Sequence, residues 1–270
     1  MTLCLTLRER PAQRVDLSTL STDHLSGRTT AQVAAMELPS GNRTVRVDSL
    51  FDVSGTFSSE LEIRASCDRL DRIGEGMTHG CITVRGDVGA YAGACMKGGH
   101  LEVHGNAGAY AATGMAGGLL RITGNAGDFL AAALPGAHRG MEGGTVVVGG
   151  DAGDRVGDHM RRGMVLIEGN VGDFCGARMT AGTIAVWGRV GAFPGAGMKR
   201  GTLLLQAIPA QLPPTFSDCG ETTNGFLTLL VRSWRPLAGK FGTADEARVR
   251  ARRFMGDLAN DGRGEILIWV

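Results

Sequence analysis

From Ile82 onward the chain repeats itself every 19 residues, and that period limits its possible folds more than any other feature. Ile82 to His100 reads ITVRGDVGAYAGACMKGGH, and Leu101 to Leu119 reads LEVHGNAGAYAATGMAGGL. Further units begin at Leu120, Val146, Val165 and Ile184; the step is 19 except for one of 26. A Met recurs at 77, 96, 115, 141, 160, 179 and 198, and a Gly follows each three residues later. Each unit opens with a period-two apolar pair such as Leu101/Val103, which is a strand with one inward face. Gly-Asp/Asn-Val/Ala-Gly follows, as in Gly105-Asn106-Ala107-Gly108, and these residues tolerate positive φ at a corner. An aromatic comes next (Tyr91, Tyr110, Phe129, Phe174, Phe193), then small residues, then the Met.

One such strand cannot bury its inner face alone. Stacked about 4.8 Å from a copy, it pairs its backbone and places like side chains over one another. The expected fold is therefore all-β: a right-handed parallel β-helix, a solenoid of 19-residue Gly-rich coils. Asp87, Asn106, Asn125, Asp151 and Asn170 form a polar ladder at one corner, and the Tyr/Phe and Met columns are expected as internal stacks. A 19-residue coil has no room for a strand plus a full helix. Leucine-rich repeats, the nearest rival by length, place Leu and Asn or Cys where this chain places Gly. The need for repeated corners also explains 43 Gly in 270 residues, while an apolar content of 43% argues against disorder.

The expected divisions are an N-terminal cap at 1–44, the β-helix at 45–206, and a C-terminal extension at 207–270. Leu3, Leu5 and Leu7 suggest a strand in the cap, and Val45–Val47 and Leu61–Ile63 read as degenerate first coils. Pro209, Pro213 and Pro214 end the solenoid. Thr243-Ala-Asp-Glu246 reads as a capping box, predicting a helix that buries Ala247, Ala251, Phe254 and Leu258. A final strand is expected over Glu265–Val270.

A net charge of +1 gives no general steering toward nucleic acid or a membrane, and no apolar run reaches the ~20 residues of a span. Arg8, Glu9, Arg10, Arg14 and Asp16 interrupt what a secretory leader would keep apolar. The six cysteines form no C-x-x-C pair, which suits reduced thiols in a cytoplasmic protein. No phosphate loop, nucleophile elbow or paired carboxylates appear, so no catalytic residue is assigned. His79, His100 and His104 lie near matching bends, but no carboxylate or thiolate completes a metal set, so no metal site is assigned. Between Met and Gly lie Lys97, then Arg161 and Arg162, then Lys199 and Arg200. Stacking aligns them along one edge, either as a solvated rim or as a basic strip for the acidic tail of a carrier or partner. The longer unit inserts Leu134-Pro-Gly-Ala-His-Arg-Gly140, expected as a protruding loop.

Arg72-Ile-Gly-Glu-Gly-Met77, the repeated Gly-Asp/Asn-Val/Ala-Gly and Ala133-Leu-Pro-Gly-Ala-His-Arg-Gly-Met141 together resemble the C subunit of formylmethanofuran dehydrogenase. The resemblance covers about residues 45–206, with Gly262–Ile268 included. The repeat is also similar to the C-terminal β-helical domain of the large glutamate synthase subunit, a spacer within a much longer chain. Two versions of the first family exist. In methanogens the subunit belongs to a tungsten or molybdenum enzyme. In methylotrophic bacteria it belongs to a formyltransferase/hydrolase complex, which moves a formyl group from tetrahydromethanopterin to a methanofuran-type carrier and releases formate. The excess of Arg, 25 of 28 basic residues, suits a GC-rich bacterial genome and the second version. The resemblance implies a noncatalytic scaffold in one-carbon metabolism and methylotrophy. It implies a hetero-oligomer with metallo-hydrolase-like and formyltransferase-like partners that hold the metals. It also implies a carrier with a glutamate-rich tail, which the basic strip would hold or help a neighbour hold.

Overall fold

A computed structural model describes residues 2–270, and β-structure dominates it. The N-terminal part comprises strands β1 (Leu3–Leu7), β2 (Val15–Asp16), β3 (Glu37–Ser40), β4 (Arg43–Arg46), β5 (Phe51–Ser54), β6 (Glu60–Ser66) and β7 (Leu70–Asp71). Short helices α1 (Thr22–Leu25), α2 (Thr30–Ala34) and α3 (Val47–Leu50) lie between them. Next come β8 (Cys81–Gly86), β9 (His100–His104), β10 (Ala116–Ile122), β11 (Glu142–Val148), β12 (Arg162–Ile167), β13 (Thr183–Val186) and β14 (Thr202–Leu205). The tail adds β15 (Ser217–Thr223), helix α4 (Gly225–Ser233), β16 (Arg250–Gly256) and β17 (Gly264–Trp269).

Strands β6 and β8 through β14 pair in parallel, each with the next in the chain. Ile82 faces Leu101, Leu101 faces Leu120, Leu120 faces Val146 and Val146 faces Val165, so like residues meet across the 26-residue unit as well. The seven extra residues leave the ladder in register. β1 extends the sheet in parallel beyond β6, and antiparallel β5 closes that end. At the other end β17 joins β14 in parallel and β16 and β15 follow antiparallel, giving 13 strands in all. A second line of contacts joins the corners: Val88, Ala107, Ala126, Ala152, Val171 and Val190 bridge in succession.

Alternation sorts the strand side chains. Ile82, Val84, Leu101, Val103, Leu120 and Ile122 point into one continuous buried core with the methionines of the repeat (77, 96, 115, 141, 160, 179 and 198), each 0% exposed. The outward residues change character along the stack. Glu62, Thr83, Glu102 and Arg121 occupy the early rungs, whereas Val147, Leu166, Ala185, Leu204 and Leu267 occupy the later ones. The apolar half is covered by Leu227, Leu230, Val231 and Trp234 of α4 and its C-cap, with Phe241 and Trp269. Trp234 packs edge-on against Phe241 at 5.1 Å between ring centroids, and Trp187 against Trp269 at 4.9 Å. Glu168 ties the tail down by accepting the Lys240 N–H at 2.7 Å.

Three sequence-based expectations are corrected. Among the described residues no α-helix follows Thr243: its hydroxyl donates to the Lys240 carbonyl, the Ala251–Phe254 segment lies in strand β16, and Leu258 is exposed in a single 3-10 turn. The run Arg250–Gly256 fits either period, and pairing with β17 decides it, strengthened by Arg250–Glu221, Arg252–Asp218 and Arg253–Glu265 ion pairs. The tail's α-helix forms earlier, at α4, where the Asn224 side chain accepts the Phe226 N–H at 3.0 Å. Val45 is no rung of the stack. It sits in β4 of a separate four-stranded sheet, antiparallel to β3, and Val47 opens α3. The aromatic column, expected inside, lies on the outer surface.

Candidate functional site

The side chains that could act on another molecule are set by the turn around each Met. From Met96 on, the N–H after each Met of the column donates to the Met carbonyl one coil earlier, as Lys97 to Met77 and Arg161 to Met141, both at 2.8 Å. The Met side chain points inward, and its methyl lies over the Gly of the next coil. A Cβ at Gly99, Gly118, Gly144, Gly163, Gly182 or Gly201 would stand 2.7–2.9 Å from the methyl of Met77, Met96, Met115, Met141, Met160 or Met179. That close approach, together with a positive φ at each, is why Gly recurs three residues after Met.

With the Met inward, the residues just after it face out. Lys97, Arg161, Arg162, Lys199 and Arg200 are all exposed, and none has an ion-pair partner within 4.0 Å among the described residues. Arg161 and Lys199 share one column with Thr180 between them, a separation of two rungs, about 10 Å. Glu142 occupies the rung before Arg161. With Arg162, Thr180 and Ala181 it lines a shallow open cleft of about 360 Å³. The strip is thus two Arg/Lys pairs with Lys97 three rungs from Arg161, rather than an unbroken row.

The aromatic column stands outside, half-buried, and not inside as its apolar character suggested. Tyr91, Tyr110, Phe129, Phe174 and Phe193 hold φ of 56–64°, which swings each side chain outward, and the following Ala92, Ala111, Leu130 and Cys175 fill the interior. Tyr91 and Tyr110 stack at 5.4 Å, Tyr110 and Phe129 at 4.8 Å, and Phe174 and Phe193 at 5.6 Å. Arg72 and Arg155 occupy the same column position, with guanidinium groups 4.8 Å over Tyr91 and 5.0 Å over Phe174. Each Arg pairs with an acid three residues on, Glu75 or Asp158. The signal for this was present in Arg72-Ile-Gly-Glu and Arg155-Val-Gly-Asp, where Arg replaces the aromatic.

Beside this column the insertion arches outward, with Leu134 through Arg139 exposed. Under it is a cleft of about 500 Å³ lined by Tyr110, Phe129, Leu134, His138, Arg155, Asp158, His159 and Arg178, among others. Asp158 is 4% exposed, where most other coils carry Ala, Thr or Glu. Its carboxylate takes the Arg178 guanidinium, Arg155 Nη1 at 3.4 Å and His159 Nδ1 at 3.0 Å. Burial holds His159 below its ordinary pKa, against the pull of Asp158. Sequence reasoning missed this cluster because Asp158 and Arg178 belong to different coils.

Among the described residues no group of three or more His, Cys, Asp or Glu could hold a metal ion. His79 lies at the surface with Asp23 and Thr78, and His104 lies 3.7 Å from Glu102. Burial pushes the Cys175 thiol up to about 12, which removes it as a nucleophile. No helix of the described residues is long and apolar enough to cross a membrane.

A family model described as the GXGXG motif matches residues 82–213. The chain also superimposes on a chain of the formyltransferase/hydrolase complex (FhcABCD) from Methylorubrum extorquens in complex with methylofuran. The TM-score is 0.90 and the identity 38%, over 98% of both chains. This chain belongs to the family formed by the C subunits of formylmethanofuran dehydrogenase and of the formyltransferase/hydrolase complex. Two curated members of the family agree. The C subunit of the tungsten-containing formylmethanofuran dehydrogenase 2 of Methanococcus maripaludis is 33% identical over 93 residues, 34% of each chain. The C subunit of the formyltransferase/hydrolase complex Fhc of Methylorubrum extorquens is 40% identical over 85 residues, 32% of each chain. These matched segments span about a third of the curated relatives' length.

Proposed function

We propose that the chain is a noncatalytic scaffold subunit of a cytoplasmic formyltransferase/hydrolase complex. That complex moves a formyl group from tetrahydromethanopterin to a methanofuran-type carrier and releases formate. In this reading the body winds as a right-handed parallel β-helix of 19-residue coils from β6 at Glu60 to residue 206, the hand that parallel crossovers favour. The segment 1–59 caps one end, with β1 laid on β6, and residues 207–270 cap the other. The stack joins a metallo-hydrolase-like subunit to a formyltransferase-like one, and the metals reside in those partners. The observation that carries the proposal is the likeness, over nearly the full chain, to a chain of a formyltransferase/hydrolase complex. The similarity to the C subunits of tungsten-containing formylmethanofuran dehydrogenases supports a second reading, the redox version of the complex.

Native purification followed by mass spectrometry tests the assignment. Formyltransferase and hydrolase subunits are expected; a molybdopterin-containing partner supports the second reading, and an amidotransferase with a flavoprotein replaces both by a glutamate synthase. Formyl transfer or hydrolysis by the purified single chain overturns the noncatalytic role.

Lys97, Arg161, Arg162, Lys199 and Arg200 hold the acidic tail of the carrier in this proposal. Their support is exposure, freedom from ion pairs among the described residues, and alignment on one edge. Replacing Arg161, Arg162, Lys199 and Arg200 by Ser in the assembled complex is expected to weaken carrier binding at least tenfold at low salt. Unchanged binding removes the strip from the carrier site.

A further inference from the structure

We infer that the cleft beneath the insertion is a docking site for a segment of a partner protein that carries an aromatic side chain next to an acidic one. The inference rests on the reading of this chain as part of a hetero-oligomer, and three features of the cleft select the occupant.

The first is the break in the column of planar groups. Contacts run without interruption from Arg72 to Phe129 and resume from Arg155 to Phe193. Between Phe129 and Arg155 no ring or guanidinium contact exists among the described residues. The backbone does not open there, since the Phe129 N–H donates to the Asp154 carbonyl at 2.8 Å. Phe129 therefore borders the cleft with aromatic surface that an incoming ring can cover. Leu134 of the insertion, 42% exposed, adds apolar area.

The second feature is charge. Arg155 and Arg178 face a single buried carboxylate, Asp158, leaving one positive charge in surplus. His138 stands at the same rim, 5.9 Å from the His159 ring, and offers a further ring N–H donor. A carboxylate entering here meets cations and donors, because the oxygens of Asp158 are already bonded. A purely apolar segment leaves the surplus charge unanswered, and a bare polyanion leaves Phe129 and Leu134 uncovered.

The third is preorganisation. Both ends of the insertion are fixed, by Ala133 N–H to Asp158 O and Gly140 N–H to His159 O, each at 3.0 Å. Its tip closes a turn from Ala137 N–H to Leu134 O at 2.9 Å. The wall thus exists before a partner arrives, which lowers the ordering cost of binding.

The test uses the natively assembled complex with a benzoylphenylalanine photocrosslinker at position 137 of the loop. Irradiation is expected to link this chain to one partner protein, through a peptide with an aromatic residue within two positions of an Asp or Glu. In parallel, His138→Glu is expected to weaken retention of that partner at least tenfold, and His138→Lys to preserve it. His138 is exposed, so both variants leave the core intact. An intact complex that gives no crosslink, a linked peptide lacking carboxylates or aromatics, or equal retention by the two variants overturns the docking site alone. A chain that purifies without any partner overturns the hetero-oligomer reading together with it.

Discussion

Gly182→Ala is the perturbation for which the structure gives the clearest magnitude. Gly182 has φ of +103°, and its nearest neighbour for an added Cβ is the Met160 methyl at 2.9 Å; backbone atoms lie at 3.1 Å and beyond. Holding an L-residue in that backbone region costs about 1–3 kcal/mol. Forcing a methyl against the fully buried Met160 costs about 1–3 kcal/mol more, because a close-packed core yields little. The two together come to roughly 2–6 kcal/mol. With an unfolding entropy of about 2.1 cal/mol/K per residue, a chain of this size loses roughly 0.6 kcal/mol per degree, so melting should fall by about 3–10 °C. Met160→Ala alone should cost about 2–5 kcal/mol through the cavity it leaves. That cavity also accommodates the new methyl. The double variant should therefore be less destabilised than the sum of the singles by about 1–3 kcal/mol, the overlap component. The assay is thermal and denaturant unfolding of the four proteins under one set of conditions. If the effects add to within about 0.5 kcal/mol, the two groups do not compete for space and the account of the recurring Gly is wrong.

Three further outcomes follow from the same geometry. Asn125→Ala removes the acceptor of the Asp151 N–H at 2.8 Å and should cost about 1 kcal/mol, seen as a melting shift well below that of Gly182→Ala. Burial acts to raise the pKa of Asp257, but bonds from Thr215 and from the Gly197 and Ala259 N–H groups outweigh it and hold the carboxyl below its ordinary value. Its contribution is therefore present above an unfolded pKa of about 3.9 and lost as pH falls through the folded value. The stability difference between the native protein and Asp257→Asn should shrink as unfolding is measured at successively lower pH below about 4. In a thiol titration of the native protein, the exposed Cys95 and Cys219 should react first, and Cys175 only after denaturant is added.

Most of the stacking was legible because it depends on periodicity, which each coil states again. Met77 through Met198 and Asp87 through Asn170 announce their columns, and both columns exist. The aromatic column was legible as a column but not as to its side. Outward orientation depends on a positive φ at Tyr91 and its equivalents, and non-Gly residues seldom advertise that conformation. Where the repeat ends, legibility became partial: the strands at Leu3–Leu7 and Gly264–Trp269 were expected and are present, whereas the helix after Thr243 is not. Residues 243–254 satisfy helical spacing locally, and only pairing with β15 and β17, both distant in the chain, makes Arg250–Gly256 a strand. The basic strip was readable because its members sit at fixed offsets from Met. Asp158 was not, because its partner Arg178 comes from the next coil, and a lone Asp among Ala and Thr gives no sign of burial.

The insertion between Phe129 and Met141 enlarges one coil without disturbing the pairing of Leu120 with Val146 or of Ile122 with Val148. Length along the stack is therefore counted in coils and not in residues. Removing a complete coil shortens the body by one strand spacing, about 4.8 Å, with every surviving column still in phase. Lengthening a loop moves neither end at all. The distance between the two ends can thus change only in whole steps, while the rim between them can be redecorated at no cost to that distance.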